Sequence, residues 1–539
     1  MVRSINGRTL PAVRGLGRDE ARSPARKAWD RRLRRVLAVA ALGLVSACGP
    51  RDGLYEATLL TPTCTGTPAL QGVHYLRFRV SGAGMEPVEH FVPVERGTAE
   101  LPALFPGPGR VLEVRGYTNL PRLGGHVVAL GRSHPFDVPE SAGAGRPKVS
   151  VALRRVNEFV QVGSASGACA SLVHPRAGHT ATLLEDGRVL LAGGVEVSQS
   201  DDSTTLSSAE LLDPVTGTLE PAPELGTGAG GSFLASPRAF HTATRLPGGK
   251  VLLAGGEVES VEGTVPVGNA LVLDVAQRTY SGVALRAARG HHAAAADASG
   301  RVLLVGGVGA GGAVVSEAEG YDPGTGQGFS VSTPVPRVGM GVMPVRQGRR
   351  IAVVGGSDGT ALRPEVLFFS YEGGTFVSVD EGLRLREPRR DAALVPFGGL
   401  DRLLSVGGHD TPEGVEGEPR PLASSEVLSP GAAVAGPQVF ARSGLCAVAL
   451  PDGRVLTSGG LRASASGLQS APHAELLLPG QEGGSPVMFG LPPLERPRHQ
   501  HSCTVLRDGS VLLAGGLDND GRRRTTLGDL VIYTPAPLD

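Results

Sequence analysis

The chain has 539 residues with 52 basic and 52 acidic side chains, so its formal net charge is zero. It contains no basic stripe interleaved with aromatic residues, which argues against binding to nucleic acid. Its length is sufficient for a large closed core and one further small domain. Its 79 glycines favour a fold with many tight turns.

Residues 1–47 have the composition of an export signal. They hold eleven bases and three acids, and the basic cluster 31–35 comes directly before an apolar run at 36–45. This order is typical of a secretory signal peptide, and so short an apolar run is unable to span a bilayer. A twin-arginine route matches less well because Asp30 precedes the arginines. The segment before the basic cluster is long for such a leader, so the translation start stays open.

Cys48 follows the small residues Ser46 and Ala47, and this sequence resembles the lipobox of bacterial lipoproteins. The resemblance implies cleavage before Cys48 and lipid on its sulfur, which anchors a protein by burying methylene groups in the membrane. An ordinary signal peptide with an incidental cysteine is the alternative. We expect a protein of the bacterial cell envelope, lipid-anchored and facing the periplasm or the exterior. The sequence does not choose between the inner and the outer membrane.

Residues 48–155 are predicted to form a small β-sandwich domain. Alternating strands at 75–80, 111–117 and 149–153 are separated by turns rich in Gly and Pro. An immunoglobulin-like and a transthyretin-like sandwich both fit. The role of this domain, as a stalk or as a second binding module, stays open.

One pattern recurs seven times over residues 156–539: an Arg, a short apolar strand, a tight turn, a second apolar strand and a Gly-Gly pair. The repeat arginines are Arg176, Arg238, Arg289, Arg337, Arg389, Arg442 and Arg498. The glycine pairs are Gly193 and Gly194, Gly255 and Gly256, Gly306 and Gly307, Gly355 and Gly356, Gly407 and Gly408, Gly459 and Gly460, and Gly515 and Gly516. Asp-Gly dipeptides such as 186–187 predict two-residue hairpin turns between the first two strands. A third strand and a weaker fourth follow, and four strands in about 50 residues are typical of a propeller blade.

The pattern Arg-x-x-His, hydrophobic strand, Gly-Gly and Ala-Glu-Leu-x-Asp-Pro resembles the kelch repeat. The resemblance implies an all-β fold, a seven-bladed kelch-type β-propeller over 156–539 preceded by the small β-sandwich. The outer-strand Trp usual in kelch repeats is absent, since the only Trp is Trp29. We therefore expect the outer strands to pack through Phe, Tyr and Leu.

The seventh repeat stops at its third strand, residues 530–533. Residues 159–162 precede the first repeat and are similar to the outer-strand segment 376–379. We predict that 159–162 supplies the missing fourth strand and ties the two ends of the ring together.

Four cysteines remain after Cys48, and an exported protein permits disulfides. Cys446 and Cys503 lie on the first strands of neighbouring repeats, offset by one position relative to the repeat arginines. Strand alternation would point their side chains to opposite faces. We therefore expect the disulfide to join Cys64 to Cys169.

Four repeats have a His three residues after the Arg, at His179, His241, His292 and His501. These imidazoles could surround a metal, but ligands from separate blades usually lie too far apart. We expect instead that they pack between blades and bond to the backbone, that the repeat arginines are scaffold residues, and that the protein has no metal and no cofactor. The loop 518–521 resembles part of a calcium loop but lacks its distal acid, so we expect a surface turn.

No Gly-x-Ser-x-Gly nucleophile elbow, phosphate-binding loop or His-Glu-x-x-His motif stands out in the sequence. We therefore expect a monomeric, membrane-anchored binding or scaffold protein that is not an enzyme. Its unknown partner, a protein or a glycan, would bind at propeller loops such as 195–208, 224–235 and 409–424.

The alternative is a copper-dependent oxidase similar to galactose oxidase, because kelch-type propellers include such enzymes. The resemblance implies Tyr and His ligands and a Tyr–Cys crosslink, and no such cluster is evident among the seven tyrosines.

Overall fold

The computed structural model describes residues 43–46, 55–94, 106–140, 147–164, 167–198, 200–229, 232–261, 263–399, 401–412, 419–480 and 484–538. The predicted signal segment, apart from the backbone of 43–46, lies outside the described residues, and so does Cys48. Within these ranges the protein is all-β, and its helical segments are two short 3-10 turns, Pro121–Leu123 and Ala310–Gly312. No helix in the described ranges is long and apolar enough to cross a membrane.

The N-terminal region forms two sheets around one apolar core. A three-stranded sheet contains Gly43–Ser46, Glu56–Leu60 and Lys148–Ala152, the last two strands pairing in parallel. The second sheet runs in the order Val88–Pro93, Tyr75–Ser81, Gly107–Tyr117, Val127–Arg132 and Arg154–Arg155, and Phe136–Val138 pairs with its central strand. Alternate residues of Tyr75–Ser81 are buried, which matches the period of two in the sequence.

Seven four-stranded antiparallel sheets follow in the part of the chain that the structure describes. We number them 1 to 7 and give the strands of each from innermost to outermost. Sheet 1 is Thr180–Leu183, Val189–Ala192, Ala209–Asp213 and Thr218–Pro221; sheet 2 is Thr242–Leu246, Lys250–Ala254, Asn269–Asp274 and Thr279–Ala284; sheet 3 is Ala293–Ala296, Val302–Val305, Ala318–Asp322 and Gln327–Val331; sheet 4 is Gly341–Val345, Arg350–Val354, Glu365–Glu372 and Thr375–Arg384. Sheet 5 is Ala393–Pro396, Leu403–Val406, Ser425–Ser429 and Ala432–Ala435; sheet 6 is Cys446–Ala449, Val455–Ser458, Ala474–Leu478 and Val487–Gly490; sheet 7 is Ser502–Val505, Val511–Ala514, Leu530–Tyr533 and Phe159–Gln161.

The fourth strand of sheet 7 confirms the prediction for residues 159–162. Phe159–Gln161 pairs antiparallel with Leu530–Tyr533, so segments about 370 residues apart in the chain share one sheet. The Phe159 ring also packs against Tyr533, with ring centroids 4.9 Å apart.

The second strand of every sheet is buried on both faces, as its continuous apolar sequence predicts. The turn before it differs from the prediction. In sheet 1 the amide of Leu184 bonds to the carbonyl of Arg188, which leaves a three-residue loop. Gly187, at φ 90°, closes that loop, and the Asp186 carboxylate accepts the Arg188 amide. A three-residue loop that ends in a left-handed glycine is the next most common hairpin connection.

The repeat arginines and glycine pairs form one connected network of hydrogen bonds. In all seven sheets the Arg Nη1 donates to the carbonyl of the first glycine of its own pair, at 2.7–3.1 Å. The amide of the second glycine donates to the carbonyl of the repeat Arg in the next sheet, at 2.8–3.0 Å. The last of these bonds runs from Gly516 in sheet 7 to Arg176 in sheet 1. Each sheet is therefore tied to its successor, and the seventh is tied to the first.

The glycines are required by close approach of backbone. Gly193 has φ 62°, and a Cβ there would lie 2.3 Å from the carbonyl oxygen of Arg238. A side chain would therefore both strain the residue and displace the neighbouring sheet.

Carboxylates on the third strands compensate the charge of the buried arginines. Six repeat arginines form ion pairs, Arg176 with Glu210, Arg289 with Glu319, Arg337 with Glu365, Arg389 with Glu426, Arg442 with Glu475 and Arg498 with Asp529. In sheet 2 the corresponding acceptor is neutral, because Arg238 Nη2 donates to Asn269 Oδ1 at 2.8 Å. No carboxylate partner of Arg238 occurs within the described ranges.

Several contacts attach the N-terminal sheets to the seven sheets, among them a hydrogen bond from Arg132 Nη1 to the carbonyl of Asp508. Arg154 is buried, forms an ion pair with Asp508 at 3.1 Å and donates to the carbonyl of Pro214. Cys64 is joined to Cys169 by a disulfide, with the two Cα atoms 5.1 Å apart.

Of the predicted binding loops, two contain short hairpins. Val195–Val197 pairs with Ser203–Thr205, and Gly226–Ala229 pairs with Ser232–Ala235. Similar hairpins join Glu257–Ser260 to Gly263–Pro266, Leu461–Ser464 to Gly467–Ser470, and Leu517–Asn519 to Arg524–Thr526. In the last hairpin the Asp520 carboxylate accepts the amides of Arg522 and Arg523, as in a surface turn. Residues 413–418 of the third predicted loop lie outside the described residues.

Candidate metal centre

The histidines that follow the repeat arginines connect innermost strands of neighbouring sheets. His241 Nε2 lies 2.9 Å from Thr180 Oγ1 of sheet 1, and His292 Nε2 lies 2.9 Å from Thr242 Oγ1 of sheet 2. His179 makes the same contact with Ser502 of sheet 7. The expected packing between sheets is present, and the Nε2 partner in these three contacts is a hydroxyl, because the residue four positions after Arg176, Arg238 and Arg498 is Thr or Ser.

At the junction of sheets 6 and 7 the hydroxyl position is occupied by Cys446. His501 Nε2 bonds instead to Ser458 Oγ at 3.0 Å and lies 3.9 Å from Cys503 Sγ. The donor atoms of Cys446, His501 and Cys503 all lie within 4.8 Å of one another. Two sulfurs and one imidazole nitrogen are a donor set that holds soft or borderline metal ions. Within the described residues, these three side chains are the group whose donor atoms could hold a metal ion.

The sulfurs of Cys446 and Cys503 are joined as a disulfide, with the Cα atoms 6.1 Å apart. The prediction that these side chains point apart is wrong. Strand alternation places them on opposite faces of their own sheets, but neighbouring sheets pack face to face. Val448 and Leu450, on the Cys446 side of sheet 6, share one apolar cluster with Cys503 and Val505 of sheet 7. Opposite faces are therefore the ones that meet.

Burial keeps the four imidazoles that follow repeat arginines neutral, at His179, His241, His292 and His501. Burial, helped by the charge of the adjacent repeat Arg, lowers the pKa of His179 and of His292 to about 3. The same causes hold the pKa values of His241 and His501 well below the ordinary value. Each Nδ1 is buried without a hydrogen-bond partner in the described structure. Neutral imidazole is the form that coordinates metals.

A ring of strained residues stands one position before these histidines. The residue two positions after each repeat Arg has positive φ, between 50° and 68°, at Gly178, Phe240, His291, Gly339, Asp391, Gly444 and Gln500. Four of the seven are not glycine, and non-glycine residues held at positive φ often mark functional sites. The rings of Phe240 and His291 stack with centroids 4.3 Å apart.

Asp391 carries the negative charge of this ring. Its carboxylate lies 3.0 Å from both His409 Nε2 and Arg390 Nε. Burial alone would raise the pKa of Asp391, but the hydrogen bond from His409 and the charge of Arg390 lower it to about 2. Asp391 is therefore a permanent carboxylate, paired with Arg390 and His409.

Tyrosine is absent from the candidate centre. All seven tyrosines lie in the described part of the chain, and no hydrogen bond joins any of them to Cys446, His501 or Cys503. The Tyr280 hydroxyl donates to the carbonyl of Pro223, and the Tyr533 hydroxyl lies 3.1 Å from Asn157 Oδ1. A copper site built on tyrosine ligands does not fit these residues.

Comparison with solved structures shows that a protein of known structure shares this all-β fold. A fungal alcohol oxidase of the AA5 family, solved in complex with copper, matches with a TM-score of 0.51 and 16% identity, over 70% of this chain and 76% of that chain. The structure of YjhT matches with a TM-score of 0.41 and 13% identity, over 68% of this chain and 96% of that chain. No protein-family model and no curated protein matches the sequence.

These findings correct the functional prediction. A non-catalytic binding or scaffold protein, and with it the absence of enzymatic activity, is contradicted by the likeness to a copper alcohol oxidase and by the Cys446, His501 and Cys503 cluster. Alignment of the seven repeats contained the missed signal, because Cys446 replaces a hydroxyl residue opposite a ring histidine.

Proposed function

We propose that the protein is a copper-dependent oxidoreductase of the oxidase class, with Cys446, His501 and Cys503 as copper ligands. The observation that carries the proposal is the approach of three donor atoms to within 4.8 Å on the innermost strands of sheets 6 and 7. The fold-level likeness to a copper alcohol oxidase supports the same class of reaction.

The proposed architecture is a closed, seven-bladed, kelch-type propeller over 156–539, preceded by a β-sandwich domain over 48–155. The Gly-to-Arg hydrogen bonds support closure, since they run from each sheet to the next and from sheet 7 to sheet 1. Packing of the innermost strand of sheet 1 against that of sheet 7 supports it as well.

The donor set fits copper but not a tyrosyl-radical centre. Thiolates favour Cu(I) and imidazole accepts both oxidation states of the metal. A bound copper ion would supply one-electron chemistry with dioxygen. The overall reaction proposed is oxidation of an alcohol to an aldehyde, with dioxygen reduced to hydrogen peroxide.

The residues of this chain have separate roles in that proposal. His501 Nε2 lies 3.0 Å from Ser458 Oγ and 3.9 Å from Cys503 Sγ, so copper bound at this nitrogen would replace the hydrogen bond to Ser458. The stacked rings of Phe240 and His291, with Phe240 half-buried and His291 exposed, would offer an apolar surface to an alcohol.

The experiment compares purified, reduced and copper-loaded protein with variants at the centre. We expect stoichiometric copper by elemental analysis and peroxide release from at least one member of a panel of primary alcohols. Cys446→Ser and His501→Gln should lose both, and Cys446→Ser should fold because it restores the hydroxyl found at sheets 1, 2 and 7.

The matched control is His292→Gln, a ring histidine with no cysteine neighbour, which should keep copper and activity. Wild-type protein that binds copper but releases no peroxide with any alcohol would refute the oxidase proposal.

We further propose that residues 1–47 are a cleaved signal and that Cys48 carries the lipid anchor of an envelope protein. Labelled palmitate should enter the wild-type protein in bacteria and should not enter Cys48→Ser. Equal labelling of the two proteins would contradict the anchor.

A further inference from the structure

We infer that Cys446 and Cys503 form a thiol–disulfide switch that decides whether the copper site exists. The inference rests on the proposed function, because it assigns regulation to that site. In the structure the two sulfurs are bonded to each other, so neither is a free thiolate. The same atoms cannot serve as a disulfide and as two thiolate ligands at one time.

The protein scaffold holds the two cysteines close in either state. Cys446 begins the innermost strand of sheet 6 and Cys503 lies on that of sheet 7, and these strands pack against each other. Gly460 of sheet 6 donates to the carbonyl of Arg498, which fixes the two sheets close to this point. Cleavage of the S–S bond would therefore leave both thiols beside His501 without movement of the backbone.

The sulfurs are accessible to a small reductant. Cys446 and Cys503 are partly exposed, whereas His501 is buried behind them and held by Ser458. A dithiol reductant transfers two electrons and two protons to the disulfide and is itself oxidised to a cyclic disulfide. Copper(I) binding then releases the two thiol protons, because the ligands are thiolates.

The other disulfide lacks these features. Cys64 Sγ lies near backbone and side-chain oxygens of Gln161, and no histidine contacts the Cys64–Cys169 pair in the described structure. Its cysteines join the N-terminal sheets to the entry of sheet 1. This pair therefore serves as an internal control for thiol chemistry without a metal site.

The test is a copper(I) titration of full-length protein against a competing chelator under anaerobic conditions, before and after reduction and removal of the reductant. We expect one copper ion per chain in the reduced protein and loss of that binding in the oxidised protein. Reduced Cys503→Ser and Cys446→Ser should lose the binding, and reduced His292→Gln should keep it.

Differential alkylation with mass mapping supplies a second readout. Copper(I) should protect Cys446 and Cys503 in the reduced protein and should leave Cys64 and Cys169 reactive. Equal copper(I) affinity in the oxidised and reduced states, or protection of neither ring cysteine, would overturn the switch. If copper(I) binding depends on the redox state but no peroxide is released, the oxidase proposal is refuted and the switch stands. If peroxide is released but copper(I) binding does not depend on the redox state, the switch is refuted and the oxidase proposal stands.

Discussion

The amide of Gly516 donates a 2.8 Å hydrogen bond to the carbonyl of Arg176, which joins the last of seven sheets to the first. The Arg176 side chain meanwhile bonds to the carbonyl of Gly193 in its own sheet. Arg176 therefore bonds within its own sheet through its guanidinium and to the neighbouring sheet through its backbone carbonyl. The same arrangement at the other six repeats explains why Arg and Gly-Gly recur together.

Gly516→Ala should destabilise the protein more than Gly467→Ala. Both residues have φ near 100°, but a Cβ at Gly516 would lie 2.8 Å from the His501 Cβ, whereas a Cβ at Gly467 would meet nothing within 4 Å. Backbone strain is common to both, and the clash adds about 1–3 kcal/mol at Gly516. Chemical denaturation followed by circular dichroism measures the difference. Equal losses would show that the close approach of Gly516 to His501 within sheet 7 is not constraining.

Asn269→Asp should stabilise the protein by about 1 kcal/mol. Arg238 is buried with a neutral amide as acceptor, and a charged acceptor forms a stronger bond at the same geometry. The reciprocal change Glu475→Gln removes the charge that faces buried Arg442 and should cost about 3 kcal/mol. Thermal and chemical unfolding test whether stability rises in Asn269→Asp and falls in Glu475→Gln. A loss of stability in Asn269→Asp would mean that desolvation of the new carboxylate outweighs the pairing.

Asp508→Asn should loosen the attachment of the N-terminal sheets. It leaves the guanidinium of Arg154 buried without its counter-charge, which costs about 3 kcal/mol. We expect faster proteolysis between the N-terminal region and sheet 1, measured by timed digestion and mass spectrometry. The double variant Asp508→Leu with Arg154→Met removes both charges and should recover part of the loss.

Acid should destabilise the protein partly through His292. Burial and the charge of Arg289 lower the pKa of His292 from 6.5 to about 3. Between these values the unfolded chain binds a proton that the folded chain cannot bind, so stability falls as pH falls below about 6.5. The expected slope is about 1.4 kcal/mol per pH unit for this one imidazole.

The check is the free energy of unfolding of wild-type protein and His292→Gln between pH 8 and pH 4. The variant should have the shallower decline below pH 6.5, and the two proteins should have the same slope above pH 7.5. Parallel curves through the acid range would contradict the assignment.

The repeat pattern predicted the strands well because each Arg, turn and glycine pair has a local backbone reason that is visible in sequence. Partners across strands were harder to predict. The carboxylate that pairs with the repeat Arg is Glu426 in sheet 5, but in sheet 7 it lies two register positions earlier, at Asp529. No fixed spacing from the Arg identifies both.

The sequence did not reveal the candidate centre because strand alternation predicts only which face of its own sheet a side chain occupies. It does not predict which faces of neighbouring sheets are in contact. Cys446 and Cys503 do occupy opposite faces, but contact between neighbouring sheets is made by opposite faces. The sequence contains the residues, and only the stacking of sheets brings His501 to them.

The shared seventh sheet also sets an order of events during synthesis. Phe159–Gln161 leaves the ribosome early, yet its pairing partner Leu530–Tyr533 is made some 370 residues later. Until then the apolar residues of sheets 1 and 6 that face the gap, such as Leu191 and Leu456, have no cover. The nascent chain therefore depends on being kept from aggregation until Leu530–Tyr533 arrives to complete the seventh sheet.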